Sequence, residues 1–204
     1  EKLLIPMINS LPKNVTDVNV TMGFPYKYSS SSSLFNLLLQ IHSKKQKTFY
    51  YKNVFSILSH ELIKPVMNKD IDICMLIKRE NMVYISKDDL IGLDKKNSDL
   101  YDIIFSKWIN AEHGILSCLN LIEILKNYYS NTQLNDDMNI ELLHSSYKIF
   151  NQILLFKDQY KSIKSIKSLK AMYKEIVEMN TIPFNGKPIK GLQIMGILET
   201  RLLD

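Results

Sequence analysis

Apolar residues recur every three or four positions along most of the chain, the spacing that places them on one face of an α-helix. A first short helix is predicted over 1–11, ended by Pro12, and the polar stretch 131–139 predicts a loop. The same spacing predicts further helices over 34–42, 54–62, 71–80, 100–109, 115–129, about 140–157 and about 159–179. The sequence therefore predicts a mainly α fold with a bundle-like helical unit.

Two stretches near the ends have a different pattern. VNVTM, Val18–Met22, alternates β-branched and polar residues and predicts a short strand, while LQIMGI, Leu192–Ile197, predicts a buried strand. A shorter extended piece is predicted over Met82–Ser86. An isolated strand leaves its backbone hydrogen bonds unsatisfied. The two end strands therefore either pair with each other or both belong to a sheet whose other strands lie outside this chain.

Serine and aspartate residues stand where helices are expected to begin. The last serine of the run Ser29–Ser33 is predicted to cap the helix that follows. Ser86 is predicted to cap a turn that has acidic residues near its positive end. Helix capping is also our interpretation of two carboxylate pairs, Asp88/Asp89 and Asp70/Asp72.

The 204 residues, 46% hydrophobic and 23% charged, are enough for one or two globular domains with a core. No apolar run approaches the roughly 20 residues of a membrane-spanning helix, and no signal peptide is recognised. The two cysteines, Cys74 and Cys118, are too few for a disulfide framework. The side chain of Cys118 is expected to lie in the hydrophobic core. We expect a cytoplasmic protein without a membrane partner and, because the chain starts at Glu1 rather than methionine, a piece of a longer protein.

The chain has a formal net charge of +5 and a sequence pI near 9.0. This excess of lysine and arginine is compatible with an anionic partner such as nucleic acid. Chains rich in lysine, asparagine and isoleucine also acquire such an excess without any anionic partner. The net charge alone therefore selects no function.

No recognised catalytic or metal-binding pattern is present. All six glycines stand alone, so the sequence has neither a G-x-x-x-x-G-K-[ST] phosphate loop nor a G-x-G-x-x-G turn. The four histidines are scattered without ligand spacing. Nuclease cores use an acidic residue and a lysine on adjacent strands, whereas Asp94–Lys96, the one D-x-K triplet, lies in a turn-like stretch. We therefore expect no catalytic residue, no metal and no cofactor. A third hypothesis is an enzyme with an unrecognised site, which DNA degradation with Mg²⁺ that is lost on changing Asp94 and Lys96 would support.

The stretch KSIKSIKSLKAMYK, 161–174, repeats lysine and an apolar residue every three positions. On one continuous helix the lysines would form a stripe that winds beside an apolar stripe. The lysines concerned are Lys161, Lys164, Lys167 and Lys170. Two interpretations stay open: a ridge that contacts nucleic-acid phosphates without reading bases, or a solvated face whose apolar side packs on the protein. Aromatic residues such as Trp108 and the run Phe49–Tyr51 are interpreted as core or interface rather than base-stacking residues.

Both ends of the chain resemble one family of proteins. The closing stretch FNGKPIKGLQIMGILETRLLD, 184–204, resembles a segment of AddB-like helicase–nucleases of the UvrD/RecB-like superfamily 1. In the AddB-like proteins the corresponding segment resembles the pattern GLQxMGxLETRxLDF, which includes a strand of the second motor domain. The opening LLIPMINSLPKNVTDVNVTMGFPY, 3–26, resembles the helix, the SLP and the NVTMGYP strand that precede an inserted helical subdomain in the same proteins.

The resemblance implies a domain layout. Residues 1–33 would be the edge of a motor-like domain with the departing strand 18–22, residues 34–180 a helical accessory insertion, and residues 181–204 the returning strand of the motor-like domain. The chain would be an internal fragment of a PD-(D/E)XK exonuclease-family protein. The ATP-binding and nuclease residues of that family would lie outside this segment.

The function implied by the resemblance is a non-catalytic segment of a DNA repair and recombination helicase–nuclease that guides DNA and orients domains. The parent would be an ATP-dependent helicase or exonuclease, with single-stranded or duplex DNA and a nuclease or helicase subunit as partners. For Arg201, internal pairing with Glu199 is an equal alternative to phosphate contact. The residues expected to contact DNA are Lys161, Lys164, Lys167, Lys170 and Arg201. The alternative function is a protein–protein interaction module of such a complex without DNA contact.

Overall fold

The computed structural model describes residues 10, 12, 18–20, 24–44, 46–67, 70–131, 137–160, 163–182 and 192–194. Within them the chain is mainly helical with a few short strands, as predicted. The helices are α1 (Ser30–His42), α2 (Tyr51–Leu58), α3 (Ile73–Arg79), α4 (Lys87–Leu93), α5 (Ser98–Phe105), α6 (Ala111–Asn131), α7 (Asp137–Tyr160) and α8 (Ile166–Met179). The strands are β1 (Val18–Val20), β2 (Phe24–Pro25), β3 (Phe49–Tyr50), β4 (Tyr84–Ile85), β5 (Thr181–Ile182) and β6 (Leu192–Ile194). Across these described ranges, no helix is long and apolar enough to span a membrane.

The two end strands lie side by side. β1 and β6 pair in parallel, with Val18 opposite Leu192, which confirms the first of the two predicted arrangements. Further along the chain, β2 pairs antiparallel with β5, and the Tyr26 amide donates to the Asn180 carbonyl at 3.0 Å. The outgoing and returning chain therefore lie next to each other where the helical block begins and ends.

The core of the helical block lies among α1, α6, α7 and α8. Phe35 of α1 and Phe150 of α7 meet edge to face with ring centroids 5.0 Å apart. Phe150 also stacks on Tyr173 of α8 at 5.3 Å, and all three rings are fully buried. Cys118 of α6 is buried as predicted. Removing these large side chains from water supplies the main favourable free energy that holds the four helices together.

A buried hydrogen bond connects the entry of the block to this core. The Tyr26 hydroxyl is 2.7 Å from Ser146 Oγ of α7. Since Ser146 Oγ uses its own hydrogen to donate to the Leu142 carbonyl at 2.8 Å, the Tyr26 hydroxyl is the donor. Burial raises the pKa of Tyr26 to about 12, so this hydroxyl keeps its proton.

Capping residues begin several helices where the sequence indicated, although Asp70 of the pair Asp70/Asp72 is in an ion pair with Lys96 and is not the N-cap of α3. Asp72 caps α3, and Ser86 and Asp89 form a reciprocal capping box at the start of α4. The serine run differs, because its first member, Ser29, caps α1 by accepting from the Ser32 amide. The prediction that the last serine is the cap is therefore wrong, and the helix begins inside the run.

The prediction of one helix over about 159–179 is wrong. The end of α7 takes the first residues of that range, and α8 begins only after a break. Ser165 and Ser168 form a reciprocal capping box at this break. The Lys164 carbonyl accepts from the Ala111 amide at 3.2 Å, which holds the break against the start of α6. The four lysines of the predicted stripe therefore do not share one helix.

Other bounds differ by a few residues. The helix predicted over 100–109 is shorter, because Ser106 has extended backbone after α5. The loop predicted over 131–139 is helical from Asp137, where α7 begins. The extended piece predicted over 82–86 contains β4, which pairs antiparallel with β3. The remaining parts of the predicted end elements, residues 1–9, 11, 21–22 and 195–197, lie outside the described residues.

Two glycines are expected to respond in opposite ways to alanine. A Cβ on Gly114 of α6 would lie 3.0 Å from Trp108 Cε3 and 3.1 Å from Leu169 Cδ2, whereas a Cβ on Gly92 of α4 meets no described atom within 4 Å. We expect Gly114→Ala to lower the free energy of unfolding by about 1 kcal/mol through overpacking. Gly92→Ala should raise it by about 0.5 kcal/mol through higher helix propensity. Urea denaturation measures both changes, and stabilisation by both substitutions would contradict the close approach at Gly114.

Candidate basic cleft

A cleft of about 510 Å³ opens where the end of α1, the segment before α6 and the start of α8 meet. Its lining consists of residues His42–Lys44, Trp108–Ile109 and Lys164–Lys167. None of these residues, as the structure describes them, is acidic. Segments that are far apart in sequence thus bring lysine side chains to a single concave surface, which we call the basic cleft.

The charge of the basic cleft comes from Lys44, Lys164 and Lys167, the cleft lysines, all of which are exposed. In the described part of the chain, no ion pair joins any of them to another residue. By contrast, Lys157 of α7 pairs with Glu112 of α6 at 3.0 Å. No described residue therefore competes by ion pairing with an anionic ligand for the cleft lysines.

The start of α8 adds positive potential to the cleft. The first amides of a helix have no intrahelical acceptor, and the helix dipole places about half a positive charge at this end. Ser165 Oγ accepts from the Ser168 amide at 3.1 Å. The amides of Ile166 and Lys167 keep no intrahelical acceptor. An anion in the cleft would therefore interact favourably with this helix terminus as well as with the lysines.

The buried side of the cleft contains an aromatic pair. His42 stacks on Trp108 with ring centroids 3.9 Å apart and an angle of 11° between the planes. His42 Nε2 lies 2.8 Å from the Ile104 carbonyl oxygen, and since that oxygen only accepts, Nε2 carries the hydrogen. Burial lowers the pKa of His42 to about 4. His42 is therefore neutral near pH 7, and the cleft lysines supply the positive side-chain charge.

Trp108 offers a hydrogen-bond donor that is not used. The residue is 5% exposed, and among the residues that the structure describes its Nε1–H has no hydrogen-bond partner. A buried donor left without an acceptor costs about 1 to 3 kcal/mol. Ile109, the next residue, is 79% exposed and adds an apolar side to the cleft. The lining thus combines ammonium groups, helix amides and an apolar side chain, and the indole Nε1–H of Trp108 is buried away from solvent.

The residues predicted to contact DNA are distributed unequally. Lys164 and Lys167 line the cleft, whereas Lys170, one turn further along α8, is half-buried and does not line it. Lys161 and Arg201 lie outside the described residues. Lys44 was not among the predicted residues. The signal that identifies it is the basic run SKKQK, 43–47, directly after the end of a helix.

The residues of the D-x-K triplet have structural contacts. Asp94 is buried and accepts a hydrogen bond from the Tyr101 hydroxyl at 2.9 Å. Lys96 instead pairs with Asp70 at 2.6 Å on the surface. No cluster of three or more histidine, cysteine, aspartate or glutamate side chains able to hold a metal occurs within the residues described. Asp94 and Lys96 thus each have a structural contact within the described residues.

The fold and the cleft define a class: a mainly α protein whose helical block begins and ends beside a short parallel pair of strands and contains a lysine-lined cleft. No family model, no curated protein and no solved structure matches the chain. The resemblance of the two ends to AddB-like helicase–nucleases therefore stays a prediction. The grounds for a function come from the geometry of the basic cleft.

Proposed function

We propose that the helical block is an accessory insertion of an AddB-like helicase–nuclease and contacts DNA through the basic cleft. The observation that carries the DNA contact is the convergence of three cleft lysines, none in an ion pair with a described residue, from chain segments far apart in sequence. Lysine contacts to phosphates supply most of the sequence-independent affinity for nucleic acid. The block would guide DNA and orient neighbouring domains, and the chemical steps would take place elsewhere in the parent protein.

The arrangement of the end strands supports the insertion. Parallel strands need a crossover connection, and the crossover between β1 and β6 contains the whole helical block. Parallel sheets are normally covered on both faces and contain more than two strands. Within the described residues, β1 and β6 pair only with each other. A sheet continued by further strands of a motor-like domain would satisfy their outer edges.

Charge reversal at the cleft tests the DNA contact. One variant reverses the cleft lysines, Lys44→Glu, Lys164→Glu and Lys167→Glu. A matched control reverses exposed lysines that do not line the cleft, Lys52→Glu, Lys95→Glu and Lys148→Glu. Both variants have the same net charge, so a difference between them reports the position of the charges rather than their sum. Fluorescence anisotropy with a single-stranded oligonucleotide should show about thirtyfold weaker binding for the cleft variant and about twofold weaker binding for the control.

Equal loss of affinity in both variants would show that binding depends only on total charge. Unchanged affinity in the cleft variant would remove the cleft from the proposal. Thermal unfolding of both variants is the control for folding. Since all the substituted side chains are exposed, we expect their unfolding temperatures to stay close to that of the native chain.

A second candidate function is a protein–protein interaction module. One feature favours it: the rings of Tyr50 and Tyr84, on the paired strands β3 and β4, lie 5.9 Å apart and both are exposed. The neighbouring Val83 is 52% exposed. Exposed aromatic side chains are enriched in protein interfaces. This candidate is the one that remains if the native chain does not bind DNA.

A further inference from the structure

We propose that the basic cleft binds a phosphate monoester, namely the terminal phosphate of a DNA strand. The inference rests on the proposed function and adds the chemical class of the group that the cleft recognises. A ridge of lysines would contact internal phosphodiesters along a strand. The basic cleft differs from such a ridge in its shape, its charge and its hydrogen-bond donors.

The shape of the cleft suits the end of a strand. A ridge contacts a passing backbone from one side, whereas the basic cleft is lined by three separate segments and has a volume of about 510 Å³. Pockets for small ligands have volumes of about 300 to 1,000 Å³. The cleft therefore has room for one phosphorylated nucleotide. The exposed side chain of Ile109 gives the sugar an apolar surface to contact.

The charge of the cleft suits a dianion. The cleft lysines and the α8 terminus together offer about three and a half positive charges. A phosphate monoester carries about −1.5 to −2 near pH 7, whereas each internal phosphodiester carries a single negative charge. No acidic side chain of the described lining opposes the anion. The monoester therefore gains more electrostatic free energy from this site than a diester does.

The donors of the cleft suit a group with many acceptors. The amides of Ile166 and Lys167 stand at the start of α8 and have no intrahelical acceptor. The ammonium groups of the cleft lysines add further donors. A terminal phosphate presents three strong acceptor oxygens, one more than the non-bridging pair of a phosphodiester. The donors thus match the terminal group better than an internal one.

Trp108 allows the site to be observed directly, because it is the single tryptophan of the chain and lines the cleft. The full chain is titrated with inorganic phosphate at constant ionic strength, with chloride as the reference anion. We expect a saturable change in tryptophan fluorescence with a Kd on the order of 1 mM. The double variant Lys164→Met, Lys167→Met should bind about tenfold more weakly. Lys170→Met, on the same helix but outside the cleft lining, should bind as the native chain does.

An identical response of the native chain and the double variant would overturn the phosphate site, as would the absence of a saturable response. Unfolding curves of both variants confirm that they are folded at the titration temperature. Because the substituted side chains keep a linear apolar stem, loss of charge is the main change at each position.

A second titration separates a strand end from other sources of the same chemistry. Single-stranded oligonucleotides of one sequence carry a phosphate at the 5′ end, at the 3′ end or at neither, and the free nucleoside monophosphate is compared with them. One phosphorylated strand should bind about tenfold more tightly than the unphosphorylated strand and the free nucleotide.

The possible outcomes also distinguish this inference from the proposed function. Equal affinity of all three strands overturns the strand-end inference and leaves the DNA contact standing. A free nucleotide that binds as tightly as the phosphorylated strand also overturns it, because the site would then be a small-molecule site. If no strand binds, both the inference and the proposed function fail.

Discussion

Phe150→Ala is expected to lower the free energy of unfolding by about 3 to 5 kcal/mol. Phe150 of α7 is fully buried, and its ring meets Phe35 of α1 at 5.0 Å and Tyr173 of α8 at 5.3 Å. Removing the ring leaves a cavity among three helices, and their other contacts prevent a full collapse into it. The loss therefore combines the transfer free energy of the ring with the cost of the cavity.

Leu155→Ala, on the same helix, is the matched control for this substitution. Leu155 is 64% exposed, so we expect its replacement to change the free energy of unfolding by no more than about 0.5 kcal/mol. Urea denaturation at one temperature measures both variants. A Phe150→Ala variant that is as stable as Leu155→Ala would contradict the packing of α1, α7 and α8 around this ring.

Acidification is expected to destabilise the protein through His42. Burial lowers the pKa of His42 from its ordinary 6.5 to about 4 in the folded chain. Between these two pH values the unfolded chain binds a proton that the folded chain does not. The contribution of His42 is therefore fully present above pH 6.5 and is lost as the pH falls towards 4. The loss amounts to about 3 kcal/mol.

His42→Gln tests this dependence because glutamine keeps a donor for the Ile104 carbonyl and cannot take up a proton in this range. Urea denaturation at steps between pH 7 and about 4 gives the free energy of unfolding for the native chain and the variant. The stability difference between the native chain and His42→Gln should shrink by about 3 kcal/mol over this range. Parallel curves for the two proteins would contradict a lowered pKa of His42.

The fold class and the pairing of the end strands could be predicted because their signals are local. Helical spacing of apolar residues and the alternation in Val18–Val20 need no knowledge of distant residues. Pairing between β1 and β6 was one of the two arrangements that could provide hydrogen-bond partners for the backbones of two isolated strands. The caps at Asp72 and Ser86 also follow from local chemistry, since short polar side chains favour the first position of a helix.

The break between α7 and α8 could not be predicted in this way. A three-residue repeat of lysine, serine and an apolar residue continues through Ser165 without any change in composition. The capping box there uses Ser168 in place of the usual glutamate or glutamine. The hydrogen bond from the Ala111 amide to the Lys164 carbonyl is a tertiary contact, which no local pattern indicates.

The sequence pattern predicts two of the three cleft lysines. The lysine repeat identified Lys164 and Lys167, but Lys44 reaches the cleft only because the end of α1 packs near the start of α8. The burial of His42 against Trp108 depends on the same packing. Packing between elements that are far apart in sequence brings these residues together. A single sequence therefore indicates which residue types are present but does not show which of them meet in one site.

The central claim is that the cleft lysines contact DNA phosphates, and the dependence of affinity on salt measures such contacts most directly. Neutralisation of about three phosphate charges by the cleft lysines, whether on a terminal phosphate and its neighbour or along a strand, predicts a slope of about −2 for log K against log salt concentration. Binding should therefore be roughly fifteenfold weaker at about 200 mM than at about 50 mM salt. The variant with all cleft lysines reversed should lose this slope, and the control variant should keep it. A slope near zero for the native chain, or one slope shared by all three proteins, would contradict the claim.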